Sequence, residues 1–352
     1  MIATGAATVL VALLVEWRFG WPDWLYGAIR HPVVWIGTLA AWCERRFNVA
    51  HHSHAARYIA GVVSSIVIVA LTVVVAWSLQ HGTWRLLTNY LPSLLDDPLS
   101  ASTFLGSTAQ ATAATIVTGT IASSLIAARS LHQHVADVHA PLSRGELHAA
   151  RTAVAKVVGR DIDSLDEPAV ARASIETLAE STCDGVVAPL FWGALLGLPG
   201  MAAYKAINTL DSMIGHRSER FHAFGGFAAR LDDIANWVPA RVTALLIVTV
   251  ARKRRVAAWT SARREAANHR SPNAGWPEAA TAGMLDVRLS GPRQYGGQTV
   301  NEPWIRPQAP DPYAKALATA LERYRTSIEH VLVPTLAGIT VLSVILGGAW
   351  WA

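Results

Sequence analysis

The stretch Tyr58–Leu79, YIAGVVSSIVIVALTVVVAWSL, decides the fold class, because it runs for about twenty residues without a charged side chain. A helix of about twenty apolar residues is long enough to cross the hydrocarbon core of a bilayer. The sequence therefore predicts a transmembrane helix here. Further spans are predicted over residues 2–16, over the weaker run at 111–128, which is rich in small residues, and over the strong C-terminal run at 331–352. We expect an all-α, polytopic integral membrane bundle with a cytoplasmic portion of helices and loops.

The composition supports a membrane protein. Of 352 residues, 52% are hydrophobic and 16% are charged, whereas soluble domains carry nearer a quarter charged residues. The basic residues flank apolar runs, as in Arg252–Arg255, and do not alternate with aromatic residues as a nucleic-acid surface would. By the positive-inside rule we expect the basic flanks to lie on the cytoplasmic side of a multi-pass protein, which is in contact with the lipid bilayer and has no nucleic-acid partner. The two cysteines lack metal or redox spacing and are expected to pack as apolar residues.

Two apolar stretches, 186–203 and 238–251, either span the membrane or re-enter it. The first contains Pro189, Pro199 and several glycines, and the second is short. If both span, residues 205–236 lie outside, and if both are re-entrant these residues stay on the cytoplasmic side. The basic residues of 205–236 favour the re-entrant alternative, since broken backbone at membrane depth is tolerated where it lines an enclosed cavity. A single membrane-embedded domain is predicted, with cytoplasmic loops at 129–184 and 252–330.

The segment Ser174–Gly185 carries the first group of acids. Glu176 and Glu180 are four residues apart, so both project from one face of a helix, and Asp184 follows at the edge of an apolar run. Like charges at this spacing repel each other, and a bound cation or basic substrate would offset that repulsion. The alternative is a solvated polar face that precedes a membrane segment.

A second group lies between residues 208 and 220. Asn208 and Asp211 are three residues apart and share a helical face. After Gly215, the cations Arg217 and Arg220 suit phosphate or carboxylate oxygens.

A third group begins at Arg230 and runs into an apolar stretch that contains Arg241. Its oxygen ligands Asp232, Asp233 and Asn236 can face one site, and ligands of this type suit Mg²⁺ with nucleotide phosphates better than zinc. Either aspartate can instead pair with Arg230. Ionisable residues so close to membrane segments indicate function by default.

Three segments outside these groups are shaped by turn residues. Ser271–Glu278 contains two prolines, a glycine and Asn273, which predicts a shaped loop and not a helix. Gly291–Gly297 is a glycine turn that carries Tyr295, and His31 opens a short amphipathic stretch. No P-loop, G-x-S-x-G, H-E-x-x-H or G-x-G-x-x-G motif occurs, so any nucleotide is bound without a P-loop.

The ordered motifs HPVVWIG, ETLAESTCDGVVAPLFWGALLGLPG, YKAINTLDSMIGHRSERF, ARLDDIANWVPAR and SPNAGWPEAA together resemble the CobD/CbiB family. These are the adenosylcobinamide-phosphate (cobinamide) synthases of cobalamin biosynthesis. The similarity runs from about Glu16 to Tyr295. Ser181 and Cys183 stand where Asn and Val are common, and His216-Arg217 replaces a Tyr-Lys type pair, which puts only roles for residues 181, 183 and 216 in doubt.

The resemblance implies an enzyme that uses ATP and Mg²⁺ to join (R)-1-amino-2-propanol, or its O-phosphate, to the propionate of the corrinoid cobyric acid. It also implies a location in the cytoplasmic (inner) membrane and contact with other membrane enzymes of late cobalamin assembly. Asp232 and Asp233, with Asn236, would hold Mg²⁺–nucleotide, and Glu176, Glu180 and Asp184 would orient or deprotonate the amine. The complete set of expected site residues is catalytic Glu176, Glu180, Asp184 and Asp211; substrate- or nucleotide-binding His31, Asn208, Arg217, Arg220, Arg230, Asn236, Arg241, Asn273 and Tyr295; and metal-binding Asp232 and Asp233.

Two other classes of protein fit a polar site in a membrane bundle. A transporter of broken helices usually shows paired repeats, and none is present in the sequence. A membrane regulator related to the ligases would be expected to lose the acid and amide groups, and here they are complete.

Overall fold

The computed structural model describes residues 2–90, 104–159, 161–215, 218–295 and 298–349. Helices dominate the described chain, and short strands occur only between residues 289 and 305 in that part of it. The helices, in chain order, are α1 Ile2–Phe19, α2 Asp23–Ile29, α3 Pro32–Phe47, α4 His54–Arg85, α5 Phe104–Ala122, α6 Ala128–Ser143, α7 Leu147–Val154, α8 Glu167–Thr182, α9 Ala188–Ile214, α10 Gly226–Ala235, α11 Trp237–Val250, α12 Arg255–Glu265, α13 Gly275–Leu285, α14 Ala314–Ser327 and α15 Val333–Ala349.

Five-residue π-helical turns follow three of these helices. They cover Leu86–Tyr90, Cys183–Val187 and Ile328–Leu332. Single π turns inside longer helices are rare and often occur at functional sites. Here the second one carries Asp184.

Four helical runs of the described chain are long and apolar enough to cross a membrane, which confirms the predicted membrane-helical fold class. They are His54–Thr88, Thr108–Ser143, Glu167–Ile214 and Ala314–Leu346. The helix pair α10 and α11, broken at Asn236, is a fifth span or a re-entrant loop. The predicted first span at 2–16 lies in the helix α1, which is not among the four.

The tertiary contacts divide the chain, predicted as one domain, into two compact units. The first unit takes its residues from 1–126, 189–235 and 335–352, and the second from 127–188 and 236–334.

The core of the first unit lies where α3, α4, α9 and α10 pack together. Ile36, Ile68, Leu210 and Phe224 form its centre, and each is at most 8% exposed. Gly61 on α4 is required here, because a Cβ at this position would come 1.8 Å from the Phe224 carbonyl oxygen.

The long helix α9 is kinked in its middle. Gly197 has a positive φ of 70°, which interrupts the helical ladder, and Pro199 follows. The Gln80 side chain accepts the amide hydrogen of Leu198 at 2.8 Å, so α4 satisfies a donor that the kink leaves free.

The second unit packs α11, α12 and α13 through small side chains. Ala244, Ala258, Ala262 and Ala280 are all completely buried there, and their size lets the helices approach closely. The predicted cytoplasmic segment 252–330 also contains two small antiparallel pairs, which the sequence did not predict. β1 Leu289–Ser290 pairs with β4 Trp304–Ile305, and β2 Arg293–Tyr295 pairs with β3 Gln298–Val300.

Candidate functional site

The segment 269–278 of the second unit is a fixed turn that runs into α13. The Ser271 amide donates to His269 Nδ1 at 3.0 Å, and the Ser271 hydroxyl accepts the amides of Asn273 and Ala274 at 3.2 Å each. The prediction of a loop throughout Ser271–Glu278 is wrong in its second half, where α13 begins at Gly275. Proline is tolerated in the first turn of a helix because the amides there have no intrahelical partner, which explains Pro277.

Arg241 and Asn273, two predicted site residues, are in contact. Arg241 Nη1 lies 3.3 Å from Asn273 Oδ1, and it also donates to the Trp237 carbonyl oxygen at 2.5 Å. The guanidinium carbon lies 4.3 Å from the Trp237 ring centre and 4.8 Å from that of Trp276. The cation is thus held between two indoles, with one edge tied to α11 and to the turn.

Glu278 is the most enclosed acid of this unit, with 1% of its residue surface exposed. Its Oε1 lies 3.7 Å from His269 Nε2. Because Nδ1 accepts the Ser271 amide hydrogen, the ring proton of a neutral His269 lies on Nε2, the atom that faces Glu278. Within the described chain, Glu278 Oε2 has no hydrogen-bond partner.

Glu176 of α8 lies beside Glu278 and is 2% exposed. It accepts the Ser290 amide hydrogen at 2.6 Å and pairs with Arg293 at 3.4 Å. Arg293 also pairs with Glu302 at 3.3 Å, and the Ser290 hydroxyl lies 3.5 Å from Glu302 Oε2. The strands after α13 therefore bring one cation and a further acid to the carboxylate of α8.

Carboxylates outnumber cations in this cluster, which we define as Glu176, Glu180, Glu278, Glu302, Arg293 and His269. Burial and the charges of Glu176, Glu180 and Glu302 raise the pKa of Glu278 well above its ordinary value, and Arg293 opposes this only in part. Glu278 therefore retains its proton to a higher pH than an ordinary glutamate. The charges of Glu176 and Glu180, which are four residues apart on α8, both act on Glu278, and Glu180 is exposed where Glu176 is buried.

Asn236, which directly precedes α11, lies in this unit's interior against the π turn that follows α8. Asn236 is 2% exposed, and its Oδ1 lies 3.7 Å from Cys183 Sγ within hydrogen-bond reach of the thiol. Asp184, one residue further, is half-buried. Tyr295 is the last residue of β2, and its side chain lies outside the described structure.

In the first unit, an open cavity of about 580 Å³ lies between α3 and α9, and Lys205 and Asn208 are among the residues that line it. His31 caps α3 by accepting the Val33 amide hydrogen at 3.3 Å. Burial, and then the charge of Lys205, lower the pKa of His31, so the ring is neutral at neutral pH. Asp211 ends the same face of α9, and its Oδ1 would lie 1.9 Å from a Cβ at position 215, which explains Gly215.

Arg220 makes a bidentate ion pair with Glu44, with both N–O distances 2.8 Å. Burial alone would raise the pKa of Glu44, but the hydrogen bonds from Arg220 and Asn48 outweigh it and hold the pKa below its ordinary value. The guanidinium predicted to bind phosphate is thus engaged by a carboxylate. Arg230 is exposed on α10, and Arg217 lies outside the described residues.

Asp232 and Asp233 lie next to each other on α10, and Asp232 is the more buried, at 9% exposure. Consecutive side chains on a helix point in different directions, so the pair offers one carboxylate to any one ion. No group of three or more His, Cys, Asp or Glu side chains in the described chain is arranged to hold a metal ion. Mg²⁺ often takes only one or two carboxylates and completes its shell with phosphates and water, which this pair still allows.

Comparison with known proteins adds the decisive observation. The family model described as CobD/Cbib protein matches residues 9–324. This chain belongs to the CobD/CbiB family. It is 44% identical over 345 residues to the cobalamin biosynthesis protein CobD of Rhodobacter capsulatus, an alignment that covers 98% of each chain. It is 43% identical over 302 residues to the cobalamin biosynthesis protein CobD of a Sinorhizobium species, covering 84% and 85% of the two chains. No solved structure matches.

The CobD/CbiB chain is thus a membrane protein of cobalamin biosynthesis. Its structure also adds residues to the site that the sequence did not single out, namely Glu278, Glu302, Arg293 and His269. Glu278 and Arg293 lie within motifs that the sequence offered, but only as members of turns. The sequence feature that could have identified Glu278 and Arg293 is a charged residue within a proline- or glycine-rich turn close to an apolar run.

Proposed function

We propose that this chain forms the amide bond between the propionate of cobyric acid and (R)-1-amino-2-propanol or its O-phosphate, at the cytoplasmic membrane and with ATP. Membership of the CobD/CbiB family supports the corrinoid pathway. The observation that carries the proposal for the chemistry is the cluster around Glu278, in which the enclosed carboxyl groups of Glu176, Glu278 and Glu302 lie near one arginine and the exposed Glu180 adds a further negative charge. An excess of buried negative charge is costly unless protons or a bound cation offset it.

The amine substrate is such a cation at neutral pH. Its ammonium group would donate hydrogen bonds to Glu176 and to Glu278. Oε2 of Glu278 receives no hydrogen bond from the described residues. Glu180, at the exposed end of the same helix face, would attract the ammonium from solvent, and Asp184 would help to orient it. The amine must then lose a proton before it can attack, and Glu278 would accept that proton as a general base.

Arg241 would hold the carboxylate of the corrinoid. A guanidinium presents its donors in a planar fork that matches a carboxylate, and the two indoles restrict its motion. Asn273 fixes one Nη group from the side. Trp237 is 56% exposed, so its ring offers an apolar face to the flat macrocycle beside the acid.

The reaction balances as an acyl transfer. The C–N bond forms as the amine nitrogen attacks the activated carboxyl carbon, the C–O bond to the phosphate leaving group breaks, and the ammonium proton passes to Glu278. A free carboxylate is a poor acceptor for an amine. ATP would activate the carboxyl group by phosphorylation, and Mg²⁺ would neutralise the charge of the phosphates. Residues of the first unit proposed to hold them are Asp232, Asp233, Arg217 and Arg230, with His31, Asn208 and Asp211 beside its cavity. Arg220 is not among them, because Glu44 engages its guanidinium, and Asn236 lies against Cys183 in the second unit.

The proposed reaction is tested by product analysis. The purified full-length chain is incubated with cobyric acid, ATP–Mg²⁺ and either free or phosphorylated aminopropanol. The corrinoids are then separated and their masses are determined by mass spectrometry. We expect a new corrinoid with the mass of the amide for at least one of the two amines, and none when ATP is omitted. Absence of the amide with both amines would overturn the proposal.

A further inference from the structure

A basic cavity of about 690 Å³ lies in the second unit, next to the turn Arg252–Arg254. Arg252, Lys253, Arg254, Lys315 and Arg323 line it, and Asp311 is the one acid among the lining residues. None of these residues belongs to the Glu278 cluster or to the Arg241 stack.

Asp311 does not neutralise the cavity. It accepts two hydrogen bonds from Arg288, at 2.7 and 2.5 Å, and pairs with Arg172 at 3.4 Å. These contacts hold the pKa of Asp311 below its ordinary value, chiefly through the Arg288 hydrogen bonds, so it stays ionised and committed to these arginines.

Several cations of the cavity remain available for a ligand. Arg252, Lys253 and Lys315 are exposed, and the described chain gives none of them an acidic partner. Arg323 is only 16% exposed and pairs with Glu322 at 3.5 Å, yet its buried Nη1 makes no hydrogen bond in the described chain. A buried donor without an acceptor is costly, and an anion in the cavity would supply one. Arg254, by contrast, is paired with Asp286.

The cations come from the ends of two candidate membrane helices. Arg252 and Lys253 directly follow α11, and Lys315 and Arg323 lie in the polar beginning of the span Ala314–Leu346. The two helices α11 and α14 pack against each other in this unit. Both helices belong to candidate membrane segments by length and composition, and the polar ends of such segments typically lie near phospholipid headgroups.

The remaining lining fits the same level of a membrane. Tyr313, half-exposed, stands at the start of α14, as tyrosines do in interfacial belts, and Met284 and Leu285 form an apolar wall. From this arrangement we infer that the cavity binds the headgroup of an anionic phospholipid, with the phosphate on Lys253, Lys315 and Arg323. Basic pockets between membrane helices bind anionic headgroups in this way.

The inference is independent of the amide-forming reaction, because binding is measured without corrinoid, amine or ATP. The full-length chain in a non-ionic detergent is titrated with dioctanoyl phosphatidylglycerol, dioctanoyl phosphatidylcholine and inorganic phosphate, and bound ligand is counted by native mass spectrometry. We expect dioctanoyl phosphatidylglycerol, which is anionic, to bind at least about tenfold more tightly than the zwitterionic dioctanoyl phosphatidylcholine.

The variant Lys253→Gln/Lys315→Gln should weaken phosphatidylglycerol binding by about tenfold or more. Its matched control is Arg255→Gln/Arg263→Gln, which removes the same charge from exposed positions on α12 outside the cavity and should change binding by less than about twofold. Equal weakening in both variants would overturn the inference, because it would show a general charge effect. Equal binding of the two lipids, or binding of inorganic phosphate without preference for lipid, would overturn it as well.

Discussion

The substitution Glu278→Gln should lower the rate of amide formation by about 100-fold or more, and the protein should still fold. Glutamine has the shape of the protonated carboxyl that burial favours, so the interior is preserved, but it cannot accept the proton of the amine. Turnover of purified variants with saturating amine measures the effect. Glu146→Gln is the matched control, because Glu146 sits in an exposed pair with Arg144 of the same unit, and it should keep its rate within about twofold.

The stability of the wild-type chain should depend on pH in a way that the stability of Glu278→Gln does not. The pKa of Glu278 is raised in the folded protein, so its contribution to stability is fully present below the ordinary glutamate value and is lost as pH rises through the folded value. The wild-type chain should therefore lose thermal stability relative to Glu278→Gln as pH rises from about 5 to about 8. Thermal unfolding in detergent measures this. A difference between the two proteins that does not vary with pH would show that Glu278 is ionised throughout.

Arg241→Lys should raise the KM for cobyric acid by about tenfold or more and leave kcat within about threefold. Lysine keeps the charge but loses the planar fork and the stacking between Trp237 and Trp276 that position it for a carboxylate. Steady-state kinetics with varied cobyric acid and fixed amine separate the two constants. The exposed Arg255→Lys serves as the control and should match wild type. A fall in kcat with an unchanged KM would place Arg241 in the chemical step and not in corrinoid binding.

The membrane helices were largely predictable, because an uninterrupted apolar run is a local property of the chain. Tyr58–Leu79 lies entirely inside the span His54–Thr88. The ends were not predictable in the same way. The run at 111–128 lies in the candidate span Thr108–Ser143, in which the 3₁₀ turn Ser123–Leu125 lies between α5 and the polar helix α6. The run that begins at residue 331 lies in a span that begins earlier, at Ala314, since the helix continues through the polar residues of α14 where no apolar pattern marks it.

The candidate site was predictable only where its geometry is local. Glu176 and Glu180 face the same group because a helix places residues four apart on one face. The contact of Glu176 with Ser290 joins positions 114 residues apart, and no local sequence pattern predicts it. For the same reason the phosphate role expected of Arg220 could not be weighed against its pairing with Glu44, which lies 176 residues away.

Proton release on amine binding tests most directly whether the Glu278 cluster binds the amine substrate. Binding of (R)-1-amino-2-propanol to the full-length chain is followed by calorimetry at neutral pH in two buffers of different protonation enthalpy. We expect release of about one proton per amine bound and an affinity that rises with pH, and neither effect in Glu278→Gln. Binding with no proton release, and with equal affinity in wild type and Glu278→Gln, would contradict the assignment of this cluster to the amine.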